Sequence, residues 1–145
     1  MDSESLSATG MWKRTYVLYF SKEQLPIFVG SEHNRVTSDK LTDLFALCQD
    51  KAGNWSDCTG EIFPRVEISD LLAPGAKMDP TVQGLLSFYY ELPRKGTTIY
   101  LHVKYNDYAL EPATEQAIQK NLGKLRKKKF PLVWDKDNRK MLLGK

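Results

Sequence analysis

Apolar residues fall into short runs with two different periods. Thr15-Tyr16-Val17-Leu18-Tyr19-Phe20 is β-branched and aromatic, which predicts a strand covered on both faces. Leu25 to Gly30 reads as a short extended piece whose length Pro26 and Gly30 limit. Between Ser38 and Lys51, Leu41, Leu44, Phe45 and Cys48 recur at i, i+3, i+4 and i+7, the stripe of an amphipathic helix. Thr37 or Ser38 would cap it, Asp39 and Asp43 would suit the positive end of its dipole, and Gly53 follows its last turn. Glu61 to Ile68 alternates, and Pro64 assigns it to a sheet edge or a bulge. Leu72 to Gln83, rich in Pro, Gly and Ala, is predicted to be a surface loop.

The strongest β pattern lies between Gly84 and Tyr105. Leu86 to Leu92 and Thr97 to Tyr105 alternate, with Pro93-Arg94-Lys95-Gly96 as the turn between them. The outward face of that hairpin carries Tyr100, His102 and Lys104. Pro112 starts a second helix with Ala113, Ala117, Ile118, Leu122 and Leu125 on one side and lysines on the other. Phe130 to Trp134 and Arg139 to Leu143, joined by Asp135-Lys136-Asp137-Asn138, form a closing hairpin. This order predicts an α+β fold, an antiparallel β-sheet packed against two α-helices with a C-terminal β-hairpin. A parallel doubly wound sheet needs more regular helix alternation than the pattern offers. Residues 1–11 are Ser-rich and aperiodic, so the reading is a disordered tail at 1–11 and one globular domain at 12–145.

At 145 residues, 41% of them hydrophobic and 27% charged, the chain has the size and composition of one soluble domain. No apolar run reaches the roughly 18–20 residues of a membrane-spanning helix. The opening Met1-Asp2-Ser3-Glu4-Ser5 resembles neither a signal nor a transit peptide, and Asp2 stands where myristoylation needs glycine. Two cysteines make neither a disulfide framework nor a zinc site, which points to a reducing compartment. Cys48, on the apolar stripe, is expected to be an inert buried thiol, and Cys58 to be exposed.

Charge changes the picture more. From Lys120 to Lys145 ten basic residues face only Asp135 and Asp137, a net of +8 that leaves −5 for the rest of a +3 chain. Such polarity predicts a surface aimed at a polyanion, either RNA phosphates or anionic lipid headgroups. The candidate anion-binding residues are Lys120, Lys124, Arg126, Lys127, Lys128, Lys129, Arg139 and Lys140. The run from Lys124 to Lys129 also fits the solvated basic end of a helix or a nuclear localisation signal. Phe130 and Leu132 would dip into a membrane interface.

Catalytic chemistry has little support. His33 lies in a polar stretch read as loop, and His102 on an outward strand face has no evident partner. The cysteines and histidines lack zinc-motif spacing, and no phosphate loop or GxGxxG occurs. Asn54-Trp55-Ser56 matches the N-glycosylation pattern, which without a secretory signal is read as coincidence. No enzyme activity and no cofactor are expected.

Three stretches make the chain resemble the globular domain of rhabdovirus matrix proteins over about residues 12–143. They are Ser38-Asp39 opening a helix after an extended segment, Gly96 to Asp107 as a central hydrophobic strand with an acidic end, and the hairpin from Trp134 to Leu143. The resemblance implies a virion structural protein that self-associates and bridges nucleocapsid RNA to an anionic membrane surface without spanning it. It implies residence in virion and host cytoplasm, with the nucleus as a further site, and it carries over no catalytic residues. Animal-virus members bear a longer lysine-rich tail with a PPxY motif. Here the tail is short and acidic, as in a small member of a plant-infecting lineage, and Lys124 to Lys129 take the basic role. The alternatives are a small nucleic-acid-binding regulator using the same patch and a protein–protein adaptor with no anionic ligand.

Overall fold

Strand-forming residues dominate the architecture more than the periodicity predicts. The computed structural model describes residues 2–7, 10–34, 43–107 and 109–145, and of residues 2–7, 10–13, 32–34 and 43 only the backbone. In chain order the elements are β1 (Asp2–Ser7), β2 (Gly10–Phe20), β3 (Pro26–Asn34), β4 (Asp43–Gln49) and β5 (Trp55–Asp57). Three single-turn helices follow, α1 (Thr59–Ile62), α2 (Ile68–Leu71) and α3 (Pro80–Gln83). Then come β6 (Leu86–Glu91), β7 (Ile99–Tyr105), α4 (Pro112–Leu122), β8 (Phe130–Asp135) and β9 (Lys140–Leu143). The strands make two antiparallel sheets, β1-β2-β3-β4-β5 and β6-β7-β8-β9, each in sequence order.

Register explains how the sheets meet. Val17 lies opposite Val29 and Val29 opposite Ala46, while Tyr19 lies opposite Ile27 and Ile27 opposite Cys48. One face of the first sheet is therefore apolar. It packs against Leu92, Ile99, Leu132 and Met141 of the second sheet, all buried. The same inner face of the second sheet continues through Leu101, Phe130, Phe88 and Val103 to meet Leu71, Ile68, Met78, Val82 and Ile118 from the helices and their connections. α4, opened by Pro112, buries Ile118 on that side.

The mixed, antiparallel character and both predicted hairpins are present, but the layout differs from one sheet under two helices. The apolar stripe of Leu44, Phe45 and Cys48 is a strand, with Leu44, Ala46 and Cys48 on the inner face and Phe45 and Leu47 on the outer. A run apolar on both sides satisfies helical and strand periods alike, and pairing with β3 decides the outcome. The proposed caps Thr37 and Ser38, with Asp39 and Leu41, lie outside the described residues. Asp2 to Ser7, read as tail, pairs with β2, and His33, read as loop, sits in β3 opposite Lys13.

Glu61 to Ile68 forms parts of α1 and α2 in place of a strand. Glu67 and Asp70 exchange backbone and side-chain hydrogen bonds there in a capping box, which ends any extended run. The stretch 72–83 is tied down. Leu72 bridges Leu125, Ala73 N–H donates to the Lys124 carbonyl, and Met78 and Val82 are buried. Asp79 caps α3 by accepting from Thr81 N–H at 2.8 Å.

Cys48 is buried as expected but is not a free thiol, and Cys58 is not exposed. Cys48 and Cys58 are joined in a disulfide, Cα–Cα 5.8 Å, and both are buried. Cys48 lies in β4 and Cys58 directly follows β5, and the turn of that hairpin is organised by Asp50 Oδ1 accepting from Ala52 N–H and Asn54 N–H, each at 2.9 Å. Disulfides persist in oxidising surroundings, so the cysteine count loses its force as a sign of a reducing compartment. Among the described residues no helix is long and apolar enough to cross a membrane.

Candidate anion-binding surface

Helix α4 delivers the basic segment to the end of the second sheet. Its Gly123 cap leaves the helix, and Leu125 is then pinned by its bridge to Leu72. The buried Asn121 organises this corner. Its Oδ1 accepts from Asp79 N–H at 3.1 Å and from Lys124 Nζ at 3.0 Å, and its Nδ2 donates to the Ala117 carbonyl at 2.8 Å. The chain runs on through Arg126 to Lys129 into β8.

The predicted site residues part company here. Lys124 also donates to the Lys77 carbonyl at 2.8 Å, so its ammonium is part of the joint between α4 and the 72–83 stretch. Arg126 donates from its backbone to Leu71 and from Nη2 to the Gly144 carbonyl at 3.3 Å, with its guanidinium 5.2 Å from the Phe130 ring centroid. These two cations spend their donors on the protein itself. Lys127 Nζ donates to the Lys145 carbonyl oxygen. Lys120 and Lys128 are exposed, and so is Lys129, whose ammonium lies 4.0 Å from the Tyr100 ring centroid.

Arg139 and Lys140 belong elsewhere. They sit at the far end of the β8–β9 hairpin, with Lys140 opposite Asp135 in register. Six residues of β8 separate that end from Lys129, on the order of 20 Å at strand rise. Arg139 lines a shallow cleft with Cys48, Asp50, Lys51 and Glu61, and Lys22 pairs with Asp137 at 3.8 Å nearby. Asp135 holds the turn: hydrogen bonds from the Asn138 side chain and backbone keep its carboxyl below the usual carboxylate range. The fold therefore keeps Lys127–Lys129 together just before β8, leaves Lys120 exposed on the last turn of α4, turns Lys124 and Arg126 inward, and sends Arg139 and Lys140 to the far end of β8.

The outer face of the second sheet is the part that sequence reasoning undervalued. Tyr89 pairs with His102 and Glu91 with Tyr100, so these four share the face turned away from the core. His102 Nε2 and Glu91 Oε2 are 2.8 Å apart, which gives the histidine the partner that its sequence context did not reveal. Lys104 Nζ lies 5.4 Å from the Tyr89 ring centroid. Beside Tyr89 and Tyr100 opens a cleft of about 610 Å³. Its walls are Thr15 and Ser31 of the first sheet and the loop Pro93 to Thr98. The alternation of Ser87, Tyr89 and Glu91 was the available signal, since it assigns Tyr89 outward as soon as Phe88 and Tyr90 are taken as core. Among the described residues no group of three or more His, Cys, Asp or Glu side chains is placed to hold a metal ion.

Comparison of the chain with protein-family models, with curated proteins and with solved structures returns no match.

Proposed function

We propose that the protein is a matrix-type structural protein that self-associates and bridges a ribonucleoprotein to an acidic membrane surface, in the virion and the host cytoplasm. The observation that carries this reading is the run of exposed lysines Lys127, Lys128 and Lys129 just before β8, with Lys120 exposed on the last turn of α4, on a chain that is otherwise net acidic. Among the described residues no carboxylate side chain pairs with Lys120, Lys128 or Lys129. Cations so placed gain counter-charge from phosphate, whether of lipid headgroups or of RNA. Support for self-association comes from the outer face of the first sheet, where Leu18 and Phe20 are 51% and 44% exposed beside Phe28 and Leu47.

The test is vesicle flotation. The protein is expected to float with phosphatidylserine vesicles and to remain behind with neutral ones. Each lysine near an acidic bilayer contributes on the order of 1 kcal/mol. Reversing two of them, Lys127→Glu with Lys128→Glu, therefore lowers membrane affinity by at least roughly thirtyfold, with the melting curve little changed. Equal recovery with neutral and acidic vesicles would end the membrane role.

A second reading, a small nucleic-acid-binding regulator, is favoured by one observation: half-exposed Tyr89 and Tyr100 lie beside lysines on an outward sheet face.

A further inference from the structure

The outer face of β6 and β7 offers ring faces and ammonium groups in pairs. Lys104 Nζ is 5.4 Å from the Tyr89 ring and Lys129 Nζ is 4.0 Å from the Tyr100 ring. Tyr89 and Tyr100 are diagonal neighbours across the two strands, since Tyr89 is opposite His102 and Tyr100 opposite Glu91. Diagonal positions are about 7–8 Å apart, a spacing that a dinucleotide reaches. The His102 ring continues the surface, 5.6 Å from that of Tyr89. At one end lies the cleft of about 610 Å³, rimmed by Arg94, Lys95, Thr97 and Thr98. Lys104, Lys129, Arg94 and Lys95 border this face, and its Glu91 is engaged with His102.

We propose that this face is a binding site for single-stranded nucleic acid, with Tyr89 and Tyr100 as base-stacking platforms and Lys104, Lys129, Arg94 and Lys95 as phosphate contacts. The inference does not depend on the matrix reading. A nucleotide joins a flat apolar ring to an anion, and each tyrosine–lysine pair presents the complement of both. An ammonium over a partly buried ring is held more weakly than a stacked base, so an arriving base takes the ring and the lysine moves to the phosphate. A duplex keeps its bases inside the helix and offers nothing for the tyrosines to stack on. A bilayer is a broad surface and does not enter a cleft between two sheets.

Fluorescence anisotropy with labelled twelve-residue oligo(U) and oligo(dT), a duplex of the same length and phosphatidylserine vesicles as competitors tests this. Both single strands are expected to bind at least tenfold more tightly than the duplex. A preference for oligo(U) assigns contacts to the 2′-hydroxyl, and equal binding assigns recognition to bases and phosphates alone. Tyr89→Ala with Tyr100→Ala should weaken binding more than tenfold with little change in salt dependence, whereas Tyr89→Phe with Tyr100→Phe should retain it. Lys104→Gln with Lys129→Gln should flatten the slope of log K against log salt by about 1.4, at about 0.7 per phosphate contact on a single strand. Should the alanine pair lower the melting temperature, the phenylalanine and glutamine pairs carry the test. Lys127→Glu with Lys128→Glu should lose vesicle binding yet keep single-strand affinity within a few-fold, which separates this site from the matrix reading. Undiminished binding by the alanine pair, or a preference for duplex or vesicles, overturns the proposal.

Discussion

Tyr19 shows how one side chain can join two sheets. It is 2% exposed in the core between them, and its hydroxyl donates to the Thr97 carbonyl at 2.8 Å. The ring belongs to β2 and the acceptor to the loop between β6 and β7, so this bond ties the wall of the cleft to the first sheet. Burial pushes the phenol well above its ordinary value of 10.0. A raised folded-state pKa contributes stability fully below the unfolded value and loses it as pH climbs. The protein should therefore be insensitive to pH through neutrality and lose stability progressively above about pH 10. Tyr19→Phe should cost about 1 kcal/mol at pH 7, the net value of one buried hydrogen bond, and should flatten the alkaline decline. Urea unfolding at pH 7 and between pH 9 and 11 measures both, and an alkaline profile identical in the two proteins would assign the decline to other groups. Glycine matters most at Gly30, in β3 beneath the Phe45 ring: any Cβ there would collide with the ring tip, so the aromatic covers a position that no side chain can fill.

Among the elements, the hairpin of β4 and β5 departs furthest from expectation. Its three-residue second strand is exposed throughout, and so short a strand has little packing of its own. The disulfide between Cys48 and Cys58 supplies the missing constraint, closing a loop of sequence separation 10. Thr59 adds to it: its hydroxyl accepts from Ala46 N–H at 3.0 Å, and its own N–H donates to Asp57 Oδ1 at 2.9 Å. A crosslink over so short a loop contributes roughly 2–3 kcal/mol by limiting the unfolded chain. Reduction, or Cys48→Ala with Cys58→Ala, should lower unfolding stability by about that much, read as a shift in urea midpoint. Hydrogen exchange should quicken first at residues 46–58. A midpoint unchanged by reductant would show that the remaining contacts hold the hairpin alone. α4 lies at the other extreme: its start at Pro112 and its stripe through Leu122 are legible, because a helix with one apolar stripe has one way to bury it, but Gly123 ends it before Leu125, which bridges Leu72 instead.

For the molecule as a whole, exposed apolar side chains stand on both sheets, Val133 and Leu142 on the second and Leu18 and Phe20 on the first. Exposed lysines collect near the junction of α4 and β8, while the outer face of the first sheet displays Leu18 and Phe20, with Tyr16 stacked on Phe28 at 5.2 Å between ring centroids. A five-stranded sheet with an apolar outer face gains by meeting a second copy, which buries both faces at once. The sedimentation coefficient of the intact protein should rise with concentration in the micromolar range. Leu18→Asp with Phe20→Asp, at positions that contribute little to the core, should abolish that rise without lowering the melting temperature. A concentration-independent monomer in the unaltered protein would remove self-association from the proposed function.

Local pattern sufficed for the features that depend on neighbours in sequence. The strand around Val17, the two hairpins from Leu86 and Phe130, the helix at Pro112 and the concentration of positive charge after Lys120 all follow from alternation, turn residues and composition. Tertiary structure decided the features in which one pattern had two solutions. The run from Leu44 to Cys48 is apolar on both faces and became a strand because β3 offered an edge. Cys48 and Cys58 found each other because a hairpin brought them to 5.8 Å between Cα atoms. The eight basic residues were one group only along the chain. Hydrogen bonds to carbonyls turned Lys124 and Arg126 inward, and the length of β8 carried Arg139 and Lys140 away. Sequence fixes the amount of charge a segment carries, but the direction of each cation depends on which acceptors the folded chain brings within reach.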